Sequence, residues 1–195
     1  MYLVLEGIDT AGKSTQMEAL RALFPEALFT KEPGGTPAGE RIRELILETG
    51  VRSERAELLL FLADRSEHIE EIIIPNRSKV IISDRSVISG MAYAMVKQAF
   101  APDELLRLNR FATGGIQPDF AVILHLREAE LVRRLGTKRR DTIESRGTEY
   151  LLAIQDELER AAWLLGIPTL VIDAGLDVET ITDQIKEIII TKGES

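Results

Sequence analysis

Short strand-like runs alternate with longer amphipathic segments along the whole chain. The runs are rich in apolar and β-branched residues, which is typical of strands in a buried parallel sheet. They lie at residues 2–5, 27–31, 79–84, 120–126 and 169–172. Between them, apolar residues recur at spacings of three and four, as on one face of an α-helix. Helices are therefore predicted at residues 15–23, from 37 onward, 54–76, 86–97, from 102 up to Gly114, 129–135, 149–165 and 178–190.

Strands and helices that follow one another in this order predict an α/β fold. Because parallel strands are joined by crossover connections, helices are expected on both faces of the sheet. We therefore predict one three-layer domain over residues 1–195, with a parallel sheet of about five strands. Residues 192–195 are expected to form a frayed tail.

Three ring side chains carry expectations of their own. His125 lies within the fourth predicted strand, where it is expected to be a core or edge residue with satisfied hydrogen bonds. Phe111 follows Leu105 and Leu108 at helical spacing, and Trp163 is expected to pack against the core.

A phosphate-binding motif follows the first predicted strand. Gly7, Gly12, Lys13 and Ser14 match the Walker A pattern, and a helix is predicted directly after them. The glycines let backbone N–H groups approach an anion closely, and the helix N-terminus adds the positive end of its dipole. Lys13 is placed to reach the β- and γ-phosphates, and the Ser14 hydroxyl to bind Mg²⁺. The motif predicts a P-loop fold and a nucleoside triphosphate, and it leaves the phosphate acceptor open.

An acidic and a basic residue end the third predicted strand. Ligands of open parallel sheets bind at the carboxyl ends of the strands, so Asp84 and Arg85 are expected beside the phosphate loop. Asp84 would then be a second ligand of Mg²⁺, and Arg85 would bind a phosphate. The alternative is a solvated strand end with a local ion pair, and the upstream motif makes it the weaker interpretation.

Two segments before that strand have both a structural and a functional interpretation. The proline and paired glycines of residues 32–37 predict a loop, with Thr36 as the cap of the next helix. From local physics alone this is a plain connection, and the combination of Glu32 and Arg43 near a phosphate loop adds only modest support for a functional role. Phe61 and Arg65 share a helix face, and a single phenylalanine there is more often a core residue than a ligand platform.

The overall charge limits the kinds of partner. The formal net charge is −8, which argues against nucleic acid as the main partner, because phosphate backbones need a basic face. The densest basic segment is residues 133–141. It is either a solvated charge run or a mobile flap that closes over a triphosphate and excludes water.

Other bulk properties are those of an ordinary soluble protein. Hydrophobic residues make up 45% of the 195 residues and charged residues 29%, which suits one domain with a sizeable core. The chain has no cysteine, which excludes disulfides and thiolate catalysis. No apolar run approaches the length that spans a bilayer, so a cytoplasmic enzyme without membrane attachment is expected.

Taken together, these segments resemble the thymidylate kinase family, whose members phosphorylate dTMP with ATP. The resemblance runs from residue 2 to about residue 163. The DRSxxSGxAY part, residues 84–93, is more specific to this family than the Walker loop. The stretches that carry it are LEGIDTAGKST (5–15), KEPGGTPAGERIR (31–43), LLLFLADR (58–65), IISDRSVISGMAY (81–93) and LNRFATGGIQPD (108–119).

The resemblance implies a site for each of three ligands. For ATP it implies the loop residues Gly7, Ile8, Asp9, Thr10, Ala11, Gly12, Lys13, Ser14 and Thr15. For dTMP it implies Asp9, Glu32, Arg43, Phe61, Arg65, Arg85, Ser89 and Tyr93. For Mg²⁺ it implies Ser14 and Asp84. The residues implied as catalytic are Asp9, Lys13, Arg85, Arg139 and Arg140.

The resemblance also implies individual roles around dTMP. Phe61 corresponds to the aromatic residue that stacks on thymine, and Arg65 to the arginine beside the base. Arg43 corresponds to the arginine that holds the acceptor phosphate. Asp9 and Glu32 correspond to the acids near the sugar, the latter also near the metal.

Members of the family differ in where the catalytic arginine lies. The loop interior, residues 8–11, has no basic residue, whereas the flap at residues 136–147 is rich in them. This implies the bacterial, flap-arginine type, with Arg139, Arg140 and Arg146 as the candidates. Ala94 stands where the family usually has a glutamine that contacts the base.

The implied reaction is transfer of the γ-phosphoryl group of ATP to dTMP in dTTP biosynthesis, by a homodimer. A nearby alternative is another nucleoside monophosphate or deoxynucleoside kinase, which would differ in the pocket near Phe61 and Tyr93. A more distant one is a P-loop switch or regulatory ATPase. Such proteins often sense the γ-phosphate through Asp-x-x-Gly, and no glycine stands at that spacing after Asp84.

Overall fold

The computed structural model describes residues 1–136 and 147–193. In these residues five strands form one parallel sheet in the order β2-β3-β1-β4-β5, which confirms the predicted α/β class. The strands are β1 (Tyr2–Gly7), β2 (Leu28–Lys31), β3 (Ile81–Asp84), β4 (Phe120–His125) and β5 (Thr169–Asp173).

Helices connect the strands and cover both faces of the sheet. On one face α1 packs with α8, and on the other α4 packs with α5 and α7. In the described residues the α-helices are α1 (Lys13–Leu23), α2 (Pro37–Glu44), α3 (Glu54–His68), α4 (Val87–Val96), α5 (Pro102–Ala112), α6 (Glu128–Leu135), α7 (Thr148–Leu165) and α8 (Val178–Gly193).

Local sequence explains where the helices near the site begin and end. The side chain of Thr36 accepts a hydrogen bond from the N–H of Gly39, and Pro37 follows it at the first helical position, so α2 is capped as predicted. Ser86 caps α4 in the same way, by accepting from the N–H of Ile88. The predicted helix 54–76 is α3 followed by a π-helical turn and a short 3₁₀ turn that contains Pro75.

The register of the central strands brings the chemically interesting residues to one edge of the sheet. Asp84 at the end of β3 lies opposite Leu5 of β1 and Lys31 of β2. Gly7 at the end of β1 lies opposite Leu124 of β4. The loops after β1, β2 and β3 therefore meet at the carboxyl ends of the strands.

The structure corrects the prediction for Trp163, shows that Phe111 is exposed and confirms the prediction for His125. Trp163 does not pack against the core, because 78% of its surface is exposed. At 100° per residue it lies about 140° round α7 from the buried Leu158. Phe111 is likewise 88% exposed, on the side of α5 away from Leu105. His125 is satisfied as predicted, by Glu159 and Gln155.

The C-terminal helix is longer than its prediction. The α8 helix extends to Gly193, so the expected frayed tail is helical for its first two residues. No helix in residues 1–136 and 147–193 is long and apolar enough to cross a membrane. Residues 137–146, and with them Lys138, Arg139, Arg140 and Arg146 of the predicted flap, lie outside the described residues.

Candidate active site

The phosphate loop leaves the central strand in a conformation that depends on its glycines. Gly7, the last residue of β1, has φ 150°, and an added Cβ would lie 3.0 Å from the carbonyl oxygen of Leu124. Gly12 has φ 100° directly before α1 begins at Lys13. Thr10 has φ 72°, an unusual value for a β-branched residue. The loop thus places the N-terminus of α1 at the carboxyl end of β1, where an anion would bind.

Lys13 points back into the loop. Its Nζ donates hydrogen bonds to the carbonyl oxygens of Gly7 at 2.9 Å and Ile8 at 3.2 Å. Burial, reinforced by the nearby positive charge of Arg85, lowers the pKa of Lys13 to about 8. A phosphate group would offer this ammonium a stronger partner than two neutral carbonyl groups.

Arg85 joins the β3 edge to the phosphate loop. Its Nη2 lies 2.6 Å from Asp9 Oδ1, and its Nη1 donates to the carbonyl oxygen of Gly7 and to Ser89 Oγ. The guanidinium carbon lies 5.6 Å from the ring centre of Tyr93. The backbone of Arg85 has φ 69°, in the left-handed region that non-glycine residues seldom adopt. Such strain is most often found at functional sites.

The side chains of Asp84 and Ser14 carry oxygen atoms of the kind that Mg²⁺ binds. Asp84 Oδ1 is buried and has no hydrogen-bond partner among the described residues. Asp84 and Ser14 line one cavity of about 460 Å³ between α1 and the loop after β2. Within residues 1–136 and 147–193 no group of three or more His, Cys, Asp or Glu side chains could hold a metal ion. A cation here would therefore take most of its ligands from phosphate oxygens and water, as Mg²⁺ commonly does.

The loop after β2 packs against a buried cluster of charged side chains. Glu32, which is 4% exposed, lies 2.9 Å from Arg65 Nε through one oxygen and 2.9 Å from His68 Nδ1 through the other. The Nε2 of His68 lies 2.7 Å from the hydroxyl of Thr30. Burial by itself would raise the pKa of Glu32, but Arg65 and His68 outweigh it, so the pKa lies below its ordinary value.

Arg65 makes two further hydrogen bonds within the protein. It also donates to Asn109 Oδ1 at 2.6 Å and to the carbonyl oxygen of Ser86 at 3.3 Å. Gly90 makes room for it, since a Cβ there would lie 2.5 Å from Arg65 Nη2. The structure therefore brings Glu32 and Arg65 together beneath the loop, with both charges already paired.

Two further side chains, Asp64 and Arg43, hold the loop after β2 by hydrogen bonds to its backbone. Asp64 Oδ1 accepts a hydrogen bond from the N–H of Gly34 at 2.8 Å, and burial raises the pKa of Asp64 to about 6. The half-buried Arg43 donates to the carbonyl oxygen of Pro33 at 3.0 Å. This hydrogen bond joins Arg43 of α2 to the loop after β2, close to the candidate site.

The remaining predicted pocket residues lie on α3 and α4. Phe61 is half-buried one turn before Arg65. Ser89 and Tyr93 lie one turn apart on α4, and Ser89 is buried. The hydroxyl of Tyr93 is buried without a hydrogen-bond partner in the described part of the chain, and burial raises its pKa to about 12.

Comparison with known proteins places the chain in a family. The family model for thymidylate kinase matches residues 5–185. The chain belongs to the thymidylate kinase family. It is 55% identical to the thymidylate kinase of Sulfurimonas denitrificans, over 95% of this chain and 97% of that protein. It is 51% identical to that of Wolinella succinogenes, over 99% and 100%, and 47% identical to that of Aliarcobacter butzleri, over 98% and 100%.

Membership of the thymidylate kinase family confirms the resemblance carried by the motifs and the prediction of a nucleotide kinase. It argues against the switch and regulatory ATPase alternative, because the match extends far beyond the Walker loop. The roles of single residues remain predictions, including those of the flap arginines outside the described residues.

Neither Glu6 nor Arg134 has a predicted role of its own. Glu6 lies in β1 with no exposed surface, and a charged residue inside an otherwise apolar strand was the available signal. Arg134 donates to the carbonyl oxygens of Thr10 at 2.9 Å and Ala174 at 2.7 Å, so it ties the phosphate loop to the loop after β5. In the sequence it is merely one of several residues in a basic segment.

Proposed function

We propose that this protein transfers the γ-phosphoryl group of ATP to the 5′-phosphate of dTMP, giving dTDP and ADP. One observation supports this most directly: the Walker loop and the Asp84-Arg85 pair meet at one edge of the sheet, joined by the 2.6 Å contact between Arg85 and Asp9. This contact supports a triphosphate site beside an arginine suited to a second phosphate, in a chain of the thymidylate kinase family.

The acceptor needs no general base. A phosphate monoester has a second pKa of about 6, so its attacking oxygen is largely ionised at neutral pH. Catalysis is then positioning and charge neutralisation. Lys13 and the backbone N–H groups of residues 7–15 hold the donor phosphates, whereas Arg43 and Arg85 orient the acceptor. Asp9 holds Arg85 in place and faces the acceptor side.

The rest of the acceptor site recognises the nucleoside. Phe61 stacks on the base, and Tyr93 and Ser89 line the pocket beside the sugar. Arg65 and Glu32 shape this pocket from below, since each is already paired with the other. Arg139 and Arg140 of the flap add positive charge to the migrating group, and the flap at residues 136–147 excludes water when it closes.

Mg²⁺ is proposed as the cofactor, held by Ser14 and Asp84. When bound, it neutralises charge on the β- and γ-phosphate oxygens. The unpartnered Asp84 Oδ1 and the cavity shared with Ser14 support this assignment.

The protein is also proposed to be a cytoplasmic homodimer. The family resemblance implies two subunits, and a cytoplasmic location is expected of an enzyme of nucleotide biosynthesis. Exposed leucines near α2 and α3, Leu45, Leu47 and Leu59, are apolar surface that a second subunit could cover.

The test is ADP production from ATP and Mg²⁺ with each nucleoside monophosphate offered separately. Fast turnover with dTMP and slow turnover with dUMP and the others is expected. Fast turnover with a different monophosphate would keep the chemistry and refute the thymine pocket. Absence of turnover with every monophosphate would refute the proposal.

A further inference from the structure

Glu6 is a fully buried acid next to the phosphate loop. It is the penultimate residue of β1, in the centre of the sheet, and its side chain has no exposed surface. Its Oε1 accepts a hydrogen bond from Ser86 Oγ at 2.6 Å, and its Oε2 accepts one from Ser89 Oγ at 2.5 Å. Burial raises the pKa of Glu6, and the two serine hydroxyls act in the opposite direction.

These hydrogen bonds fix the orientation of the Ser89 hydroxyl. A serine hydroxyl has one proton to donate and two lone pairs that accept. The proton of Ser89 goes to Glu6, so the lone pairs are left for Arg85, whose Nη1 lies 3.1 Å away. Arg85 continues the chain to Asp9. Glu6, Ser89, Arg85 and Asp9 are thus linked by hydrogen bonds from the sheet to the site, with Arg85 donating to both of its neighbours.

Glu6 also supports the turn that carries Arg85. Ser86 is the N-cap of α4 and accepts from the N–H of Ile88 while it donates to Glu6. Arg85, directly before this cap, has the strained φ of 69°. Because the Glu6 carboxylate binds both Ser86 and Ser89, it restrains the strained backbone of Arg85 through two hydrogen bonds.

We propose that Glu6 is a positioning residue, which directs the Ser89 hydroxyl so that Arg85 is held in its phosphate-binding orientation. The effect on catalysis rests on the proposed function, whereas the effect on Arg85 does not. A carboxylate is required because it only accepts hydrogen bonds. A glutamine of the same shape would have an NH₂ group facing one of the hydroxyls, and it would compete with Arg85 for the lone pairs of Ser89.

The deciding variants are Glu6→Gln, Ser89→Ala and the double variant. Glu6→Gln is expected to lower kcat about tenfold and KM for ATP to stay within about twofold, as expected for a misdirected hydrogen bond to a charged group. If Glu6 acts through Ser89, the double variant will be no worse than the poorer single variant. Losses that multiply in the double variant, or a wild-type kcat in Glu6→Gln, would overturn the proposal.

Asp119→Asn is the matched control. It makes the same change from acid to amide where Asp119 Oδ2 accepts from the N–H of Tyr2, at the opposite end of β1. Its kcat is expected to stay within about twofold of wild type, because its hydrogen bond is remote from Arg85. An equal loss of kcat in this control would show that any acid-to-amide change along β1 impairs the enzyme, and would overturn the specific role of Glu6.

A measurement on Arg85 itself separates this proposal from the proposed function. In protein labelled with ¹⁵N-arginine, the Nε–Hε resonance of Arg85 is assigned by its loss in Arg85→Lys. Glu6→Gln and Ser89→Ala are expected to shift it, and Asp119→Asn to leave it in place. An unshifted resonance in Glu6→Gln overturns the positioning role, whereas a wild type without turnover overturns only the proposed function. Should Glu6→Gln not fold, Glu6→Asp replaces it, since it draws the carboxylate back from Ser89 by one methylene.

Discussion

Replacement of Asp64 by asparagine should stabilise this protein, and the gain should depend on pH. Asp64 is 1% exposed and supports the loop after β2 through the N–H of Gly34. An asparagine keeps the oxygen that accepts this hydrogen bond and removes the buried charge. The variant therefore isolates the cost of ionising one carboxyl group inside the fold.

The size of the effect follows from the pKa of Asp64. Burial raises it from 3.8 to about 6. Between these values the folded protein binds more protons than the unfolded chain, so wild-type stability falls as pH rises through this window. A shift of two pKa units corresponds to about 3 kcal/mol in the free energy of unfolding. Relative to wild type, Asp64→Asn should gain up to about 3 kcal/mol from pH 4 to pH 6, and little more above that.

Urea denaturation of both proteins between about pH 4 and pH 8 measures this difference. Groups that titrate equally in both proteins cancel, and any cost of fitting the amide shifts the curve without changing its slope. A stability difference that is constant over this range would refute the raised pKa. A difference that falls with rising pH would refute the sign of the argument.

Glu32→Gln is the informative comparison, because its expected sign is opposite. Glu32 is the partner of the buried Arg65 and His68, and its pKa is lowered rather than raised. Removal of its charge leaves the guanidinium buried and uncompensated, so the variant should lose about 3–5 kcal/mol at neutral pH. The loss should shrink as the pH falls and the wild-type acid also becomes protonated. Equal stability at neutral pH would show that the cluster is not an ion pair.

Three further outcomes are expected. Arg85→Ala should lower kcat about a thousandfold with the fold intact, as measured by turnover and circular dichroism, and near-normal turnover would refute its role. Because the pKa of Lys13 is about 8, kcat/KM for ATP should fall as pH rises through that value. Lys13→Arg should move this fall to higher pH. A fall that stays at the same pH in the variant would show that another group titrates. Gly35→Ala should cost about 3 kcal/mol, because its Cβ would lie 2.6 Å from the carbonyl oxygen of Lys31, whereas Gly193→Ala, with nothing within 4 Å, should cost none. Equal melting temperatures for the last two variants would show that the loop yields.

The parts of the site that could be predicted are those encoded within a few consecutive residues. The Walker loop is recognisable because its glycines, lysine and serine act within one turn of backbone. Asp84 and Arg85 could be placed beside it because the carboxyl ends of parallel strands meet at one edge. Thr36 could be identified as a cap because its partner is only three residues away.

The parts that could not be predicted depend on contacts between distant segments. Glu32 and Arg65 are 33 residues apart, and their pairing with each other is decided by how α3 packs beneath the loop. Trp163 shows the same limit of prediction, because it is expected to pack against the core and is exposed instead. A large aromatic residue near an apolar helix face is expected to be buried, but only the rotation of α7 decides which residues face the core.

The cations at the mouth of the site already have partners before any nucleotide arrives. Asp9 pairs with Arg85, loop carbonyl groups occupy Lys13, and the carbonyl oxygen of Pro33 occupies Arg43. If these cations bind phosphate as proposed, nucleotide binding is an exchange in which phosphate oxygens displace internal acceptors. For Lys13 and Arg43 a phosphate oxygen is a stronger acceptor than the neutral carbonyl oxygen that it would replace, whereas for Arg85 it would replace the carboxylate of Asp9. On the proposed function, the free energy of nucleotide binding is therefore the difference between the phosphate contacts that are gained and these internal contacts that are lost.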